Sequence, residues 1–217
     1  MQWDTWKEKW EQTCEAVRKL GGESEGVIIK SKASEADVIE VEKKIGIRLP
    51  ESFRKVVLEF SSGVDFHWSL HDDLGLPDEL SGIFAGQFTW NLKDIPEINR
   101  SKDGWVKECF PNPNDPYDKI WHHKLGLMEV GNGDFIAFDL SQYPQNTSIV
   151  YLSHDDGQGH GYLLGNDFID FMDKWTNIGC PGPEDWQMLP FIDSPTSGIH
   201  PECSNAALWR EILKLEF

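Results

Sequence analysis

The chain has 217 residues, a formal net charge of −17 at pH 7, and a hydrophobic content of 39% with 12% aromatic. That length supports one self-sufficient core, and an apolar content near the globular average argues against disorder despite the charge. A polyanionic surface excludes nucleic acid and anionic membrane as natural partners, since both are bound through basic groups, and it attracts a protein with a basic surface. Acidity of this kind also serves solubility alone.

The charge is uneven: residues 1–108 carry 15 Lys+Arg against 21 Asp+Glu, a balance of −6, and residues 109–217 carry 5 against 16, a balance of −11. No apolar run approaches the roughly 18 residues of a membrane span, and Met1 to Glu8 lack the basic start and apolar stretch of a signal peptide. A cytoplasmic location is expected. Cys14, Cys109, Cys180 and Cys203 are far apart with no C-x-x-C pair, so reduced and mostly buried thiols are expected, with neither a zinc site nor a redox motif.

In chain order, Trp3, Trp6, Trp10, Val17 and Leu20 recur at helical spacing and stop at Gly21-Gly22, which predicts an amphipathic helix over 3–20 whose aromatic stripe packs on the chain's own core. A loop or short strand around Val27-Ile28-Ile29 follows. Ser34 and Asp37 form a capping box, and Val38, Val41 and Ile45 give a second helix ended by Gly46. Pro50 suits a first helical turn, and Phe53, Val56, Val57 and Phe60 predict a third helix up to Gly63. Strands are predicted at 65–68 and 83–92. Residues 91–124, rich in Pro, Asn and Asp, read as a loop or an excursion from the core.

Leu127 to Val130, the turn Gly131-Asn132-Gly133-Asp134, and Phe135 to Phe138 predict a β-hairpin, the turn residues suiting positive φ. A strand at 148–152 and a turn at 155–161 follow. Asn166 is expected to cap a helix whose inward face is Phe168, Ile169, Met172 and Trp175. A Pro-rich loop and a last helix around 206–215 complete the chain. The class is α+β: a mixed, mainly antiparallel sheet with helices packed on it.

The run from Ala36 to Gly63, with Gly46-Ile47-Arg48-Leu49-Pro50 at its centre, resembles the opening of the SUKH superfamily. Gly131-Asn132-Gly133-Asp134-Phe135 resembles that family's glycine-aspartate hairpin. Ile149 to Asp155 and Phe168 to Phe171 resemble its later strand and closing helix. The order and spacing of these motifs over residues 33–175 carry the resemblance, each being weak alone. It implies a binding protein without catalytic residues, of the type that includes fungal regulators of glucan synthesis and bacterial immunity proteins directed against toxins, often nucleases. Leu49, Pro50, Gly131, Asn132, Gly133 and Asp134 are then fold-determining residues. The expected organisation is a helix and loop at 1–32 packed on the core, a SUKH-like core at 33–175 with the 91–124 excursion, and a C-terminal extension at 176–217.

A search for chemistry finds no nucleophile elbow, no P-loop, and no dinucleotide fingerprint between a strand and a helix, so no cofactor is expected. His154, Asp155, Asp156 and His160 share one turn and are the sharpest metal-site hypothesis, as for a metal-dependent hydrolase, although their spacing matches neither H-E-x-x-H nor a calcium loop. An exposed polar turn needs no metal. His67 and His71 with Asp72 and Asp73 fall in a strand and turn, and His122-His123 has no carboxylate nearby in sequence. The acids of the exposed turns, Asp72, Asp73, Asp78, Glu79, Asp155 and Asp156, are the expected contacts to a basic partner, with solvated charge as the competing reading.

Overall fold

The computed structural model describes residues 2–217, an α+β architecture with two antiparallel sheets in place of the single one expected. Helix α1 (Gln2–Lys19) leads into β1 (Glu23–Ile29), α2 (Glu35–Ile45), α3 (Glu51–Glu59) and β2 (Gly63–Ser69). A 3-10 turn at Asp78–Leu80 precedes β3 (Ala85–Asn91), and β1, β2 and β3 form the first sheet in that order. The capping box at Ser34 is formed, with the Asp37 amide donating to Ser34 Oγ, and Gly46 closes α2 in the left-handed conformation at φ 76°.

Residues 91–124, expected to be a loop or an excursion from the core, contain two helices. Helix α4 (Ile95–Glu108) starts with Pro96 in its first turn, where a missing amide hydrogen costs nothing, and α5 (Asp118–Trp121) follows. Their place follows from the second sheet, β4 (Lys124–Glu129), β5 (Phe135–Asp139), β6 (Ile149–Leu152) and β7 (Leu163–Gly165), also in sequential order. Both faces of β5 are buried: Ile136 and Phe138 join the main core, whereas Phe135 and Ala137 pack with Phe110 and Trp121 in a second cluster. The 91–124 segment therefore covers a sheet face that would otherwise meet water.

Helix α6 (Phe168–Thr176) is capped by Asp167, not Asn166: the Asp167 carboxylate accepts from the Asp170 amide, and Asn166 lies one residue earlier, donating to the Asp170 side chain. The chain ends with α7 (Asp185–Met188), a 3-10 turn at Leu189–Phe191 and α8 (Ser204–Leu213).

The tryptophans explain how these parts cohere. Trp6 and Trp10 are buried, with Trp10 among Phe60, Phe66, Phe88 and Trp90 at ring distances of 5.0–6.4 Å and its indole N–H donating to Thr176 Oγ1 at 3.0 Å. Three further indoles fix irregular backbone after α6: Trp68 donates to Gly179 O, Trp175 to Pro181 O and Trp209 to Ile178 O. Large apolar rings fill the core while their N–H groups satisfy carbonyls that lack a sheet or helix partner. Next to this segment Gly86 is obligatory in shape, because a Cβ there would stand 2.2 Å from the Trp68 ring and 2.3 Å from Cys180 O. All four cysteines are free thiols, and burial raises the pKa of Cys14 and Cys180. No helix among the described residues is long and apolar enough to cross a membrane.

Candidate interaction face

The hairpin turn between β4 and β5 is built on one buried carboxylate. Asn132 Oδ1 accepts from the Asp134 amide, and Gly133 takes φ 97°, so the turn closes with the Val130 amide donating to Asp134 O. The Asp134 side chain is 1% exposed and accepts four hydrogen bonds. Oδ1 receives the His154 amide (2.8 Å) and His154 Nδ1 (2.7 Å), and Oδ2 receives Asn132 Nδ2 (2.8 Å) and the Tyr151 hydroxyl (2.8 Å). Burial, and then the Asp134 charge, hold the Tyr151 phenol far above its usual pKa, so it stays a donor. The carboxylate joins the hairpin to the turn after β6.

That second turn, residues 153–161, is equally determined. His160 lies flat on Tyr117 at 3.8 Å, accepts the Ser153 amide at Nδ1, and directs Nε2 to Tyr117 O. With an N–H donor on Nδ1, the ring is the neutral tautomer carrying hydrogen on Nε2. Burial lowers the His160 pKa, against the opposing pull of Tyr117 O, Asp134 and Asp156. Since the folded value is depressed, this stabilisation is complete above the ordinary value of 6.5 and is lost as pH falls through the folded-state value. A pH titration of the Ser153 amide by NMR is expected to show a midpoint below 6.5; a midpoint at or above it contradicts the assignment.

Asp134, His154 and Asp155 form the group of possible metal ligands found among the described residues, their ligand atoms within 4.8 Å of one another. The donor set does not fit a cation well. Asp134 already accepts two hydrogen bonds on each oxygen, and Asp155 Oδ1 accepts from Ser153 Oγ. His160, counted with this turn from sequence, has both ring nitrogens engaged elsewhere. A cation would have to displace these bonds from a carboxylate already satisfied.

The expected contact acids fall into two groups on either side of α7. Asp72, Asp73, Asp78 and Glu79 are exposed in the 70–80 segment; Asp155 and Asp156 are in the 153–161 turn, Asp156 exposed at φ 63°. The Asp185 carboxylate accepts the Gly159 amide at 2.8 Å, and Gln187 Nε2 donates to Gly82 O at 3.4 Å, so α7 touches both loops. Asp185 and Asp134 are hubs that sequence reading missed as such. Asp134 was visible as a turn residue, but its burial depends on Tyr151 and His154 arriving from another strand.

Leu49 and Pro50 lie elsewhere. Leu49 is buried, its amide donating to Glu42 Oε1, and Pro50 is the N-cap of α3 rather than a residue of its first turn. They line a groove of about 380 Å3 with Tyr143 to Thr147 and the start of α6. A larger groove of about 600 Å3 separates α1 from residues 213–217 and is lined by Glu8, Lys9, Glu15 and Lys19 among others. Neither contains the Asp134 network. His67 is on β2, His71 pairs with Asp73, and His122 Nε2 bonds Phe110 O.

The family sequence model described as SMI1 / KNR4 family (SUKH-1) matches residues 32–174. The chain belongs to this family. SUKH-1 spans the elements from α2 to α6, including both the Asp134 hairpin and the α4–α5 cover, and the superfamily includes immunity proteins that bind toxins. No curated protein matches the chain.

Proposed function

We propose that this chain is a non-enzymatic binding protein of the immunity type, which neutralises a basic, nuclease-like toxin by covering it with an acidic face. The observation that carries the reading is charge placement: residues 125–209, which include the second half of the SUKH-1 match, hold nine Asp and three Glu against the single Lys174, and of these twelve acids only Asp134 and Asp185 are buried. A surface so biased steers a basic partner into encounter and rejects acidic ones. A role as intracellular regulator or scaffold is the same physical activity with a different partner.

The experiment is coexpression with the product of the adjacent reading frame. Suppression of that product's lethality, together with copurification of a stoichiometric complex, is the expected result. Unchanged lethality with no complex contradicts the immunity reading, and a complex with a harmless partner replaces it with the regulatory one.

A further inference from the structure

Three long segments, 56–92, 125–173 and 175–209, carry no lysine or arginine, and the first and last of them meet. Residues 56–92 contain Glu59, Asp65, Asp72, Asp73, Asp78 and Glu79, and residues 175–209 contain Glu184, Asp185, Asp193 and Glu202, with no basic residue except histidine in either. The fold brings the two together at α7. Trp186 is 47% exposed, the one exposed tryptophan of ten, and its Cδ1 lies 3.5 Å from the point where a Cβ on Gly82 would stand. Phe84, two residues on, is 56% exposed, while Ile83 between them is buried.

Both rings are held in place. Trp186 sits between Asp185, which is anchored to Gly159, and Gln187, which is buried and reaches Gly82 O. Phe84 O accepts the Leu70 amide at 2.8 Å, which brings the turn with Asp72 and Asp73 alongside. Asp78 and Glu79 are exposed on the other side of Gly82, and Glu184 is two residues before Trp186.

A chain that buries nearly all its tryptophan but leaves one indole exposed against Gly82, two residues from an exposed phenylalanine and in segments whose Asp and Glu are unmatched by Lys or Arg, has the chemistry of an interface centre. Aromatic anchors in a polar rim carry most binding energy at protein interfaces, and an indole face also attracts guanidinium or ammonium groups. Asp73 pairs with His71, Asp193 with His200 and Glu202 with Arg210, whereas Asp72, Asp78, Glu79 and Glu184 make no ion pair among the described residues.

We propose that Phe84 and Trp186 are the apolar centre, and Asp72, Asp73, Asp78, Glu79 and Glu184 the rim, of a docking surface for a basic protein that presents an apolar side chain among lysines or arginines. The proposal deepens the binding reading above by naming its surface.

The test uses the full chain labelled with 5-fluorotryptophan, the resonance of position 186 being assigned from Trp186→Phe. Three probes of equal length are titrated: an amphipathic helical peptide of lysine and leucine, polylysine, and the glutamate and leucine counterpart of the first. The lysine and leucine peptide is expected to shift the position 186 resonance. Measured by calorimetry, Trp186→Ala and Phe84→Ala should each weaken the peptide's affinity by roughly tenfold or more, while Ile39→Ala, exposed on α2 away from these segments, leaves it unchanged. Thermal melts of the two aromatic variants check that they fold. Equal binding of polylysine, equal binding of the glutamate peptide, or binding indifferent to both aromatic variants overturns the proposal. Protection in coexpression that persists in the double variant removes this surface and leaves the immunity reading standing; patch-dependent peptide binding without protection does the reverse.

Discussion

Trp10→Ala is expected to destabilise the protein by about 4 kcal/mol, the range of buried tryptophan truncations. The residue is fully buried and touches aromatic rings contributed by Phe60 just after α3, by β2 and by β3, while its N–H satisfies Thr176 Oγ1 on α6. Truncation removes the transfer energy of the indole, leaves a cavity among rings too rigid to close it, and strips a buried hydroxyl of its donor. Against a typical domain stability of roughly 5–15 kcal/mol, such a loss removes between about a quarter and four-fifths of the stability. Urea unfolding measures it. Ile39→Ala, exposed on α2, should change stability by no more than about 0.5 kcal/mol. A Trp10→Ala loss below about 1 kcal/mol would show that α1 is only loosely attached to the core, whatever its sequence pattern.

Asp134→Asn is expected to cost about 3 kcal/mol, in line with breaking a buried charged network by changing one member. The substitution keeps the shape but replaces one acceptor oxygen by an amide group that must face donors: either His154 N and Nδ1, or Asn132 Nδ2 and the Tyr151 hydroxyl. Two donors then oppose a donor at a site only 1% exposed. The loss should also be local. Amide exchange at Gly133 and His154 is expected to accelerate more than exchange in α6, and equal acceleration everywhere, or a cost under about 1 kcal/mol, contradicts the hub role.

Much of this fold is readable from residue spacing because local physics decides it. The capping box at Ser34 and Asp37, the left-handed Gly46, and the Asn132-Gly133 turn each act within a few residues, and each forms as the pattern implies. Helix α4 was hidden by the features that disguise helices: Pro96 near its start, Gly104 in its interior, and an inward face formed by Ile98, Lys102 and Trp105 rather than by a clean apolar stripe. Lys102 is 3% exposed with its amine paired to Asp103, a burial no periodicity rule anticipates.

The candidate site was legible in its parts and not in its assembly. Asp72 to Glu79 and Asp155-Asp156 stand out as acidic turns, but their common neighbour is α7, a four-residue helix about 30 residues further on in a stretch of loop. The swap of Asp167 for Asn166 as the α6 cap shows the same limit on a smaller scale. Both residues are good caps, and only the φ/ψ of the entering chain selects between them.

The most direct test of binding through an acidic face is the affinity for the purified product of the adjacent reading frame, measured by calorimetry at low and moderate salt. Affinity is expected to fall roughly tenfold or more between about 50 and 300 mM sodium chloride, as charges a Debye length apart are screened. Affinity that stays constant across that range would contradict binding through an acidic face.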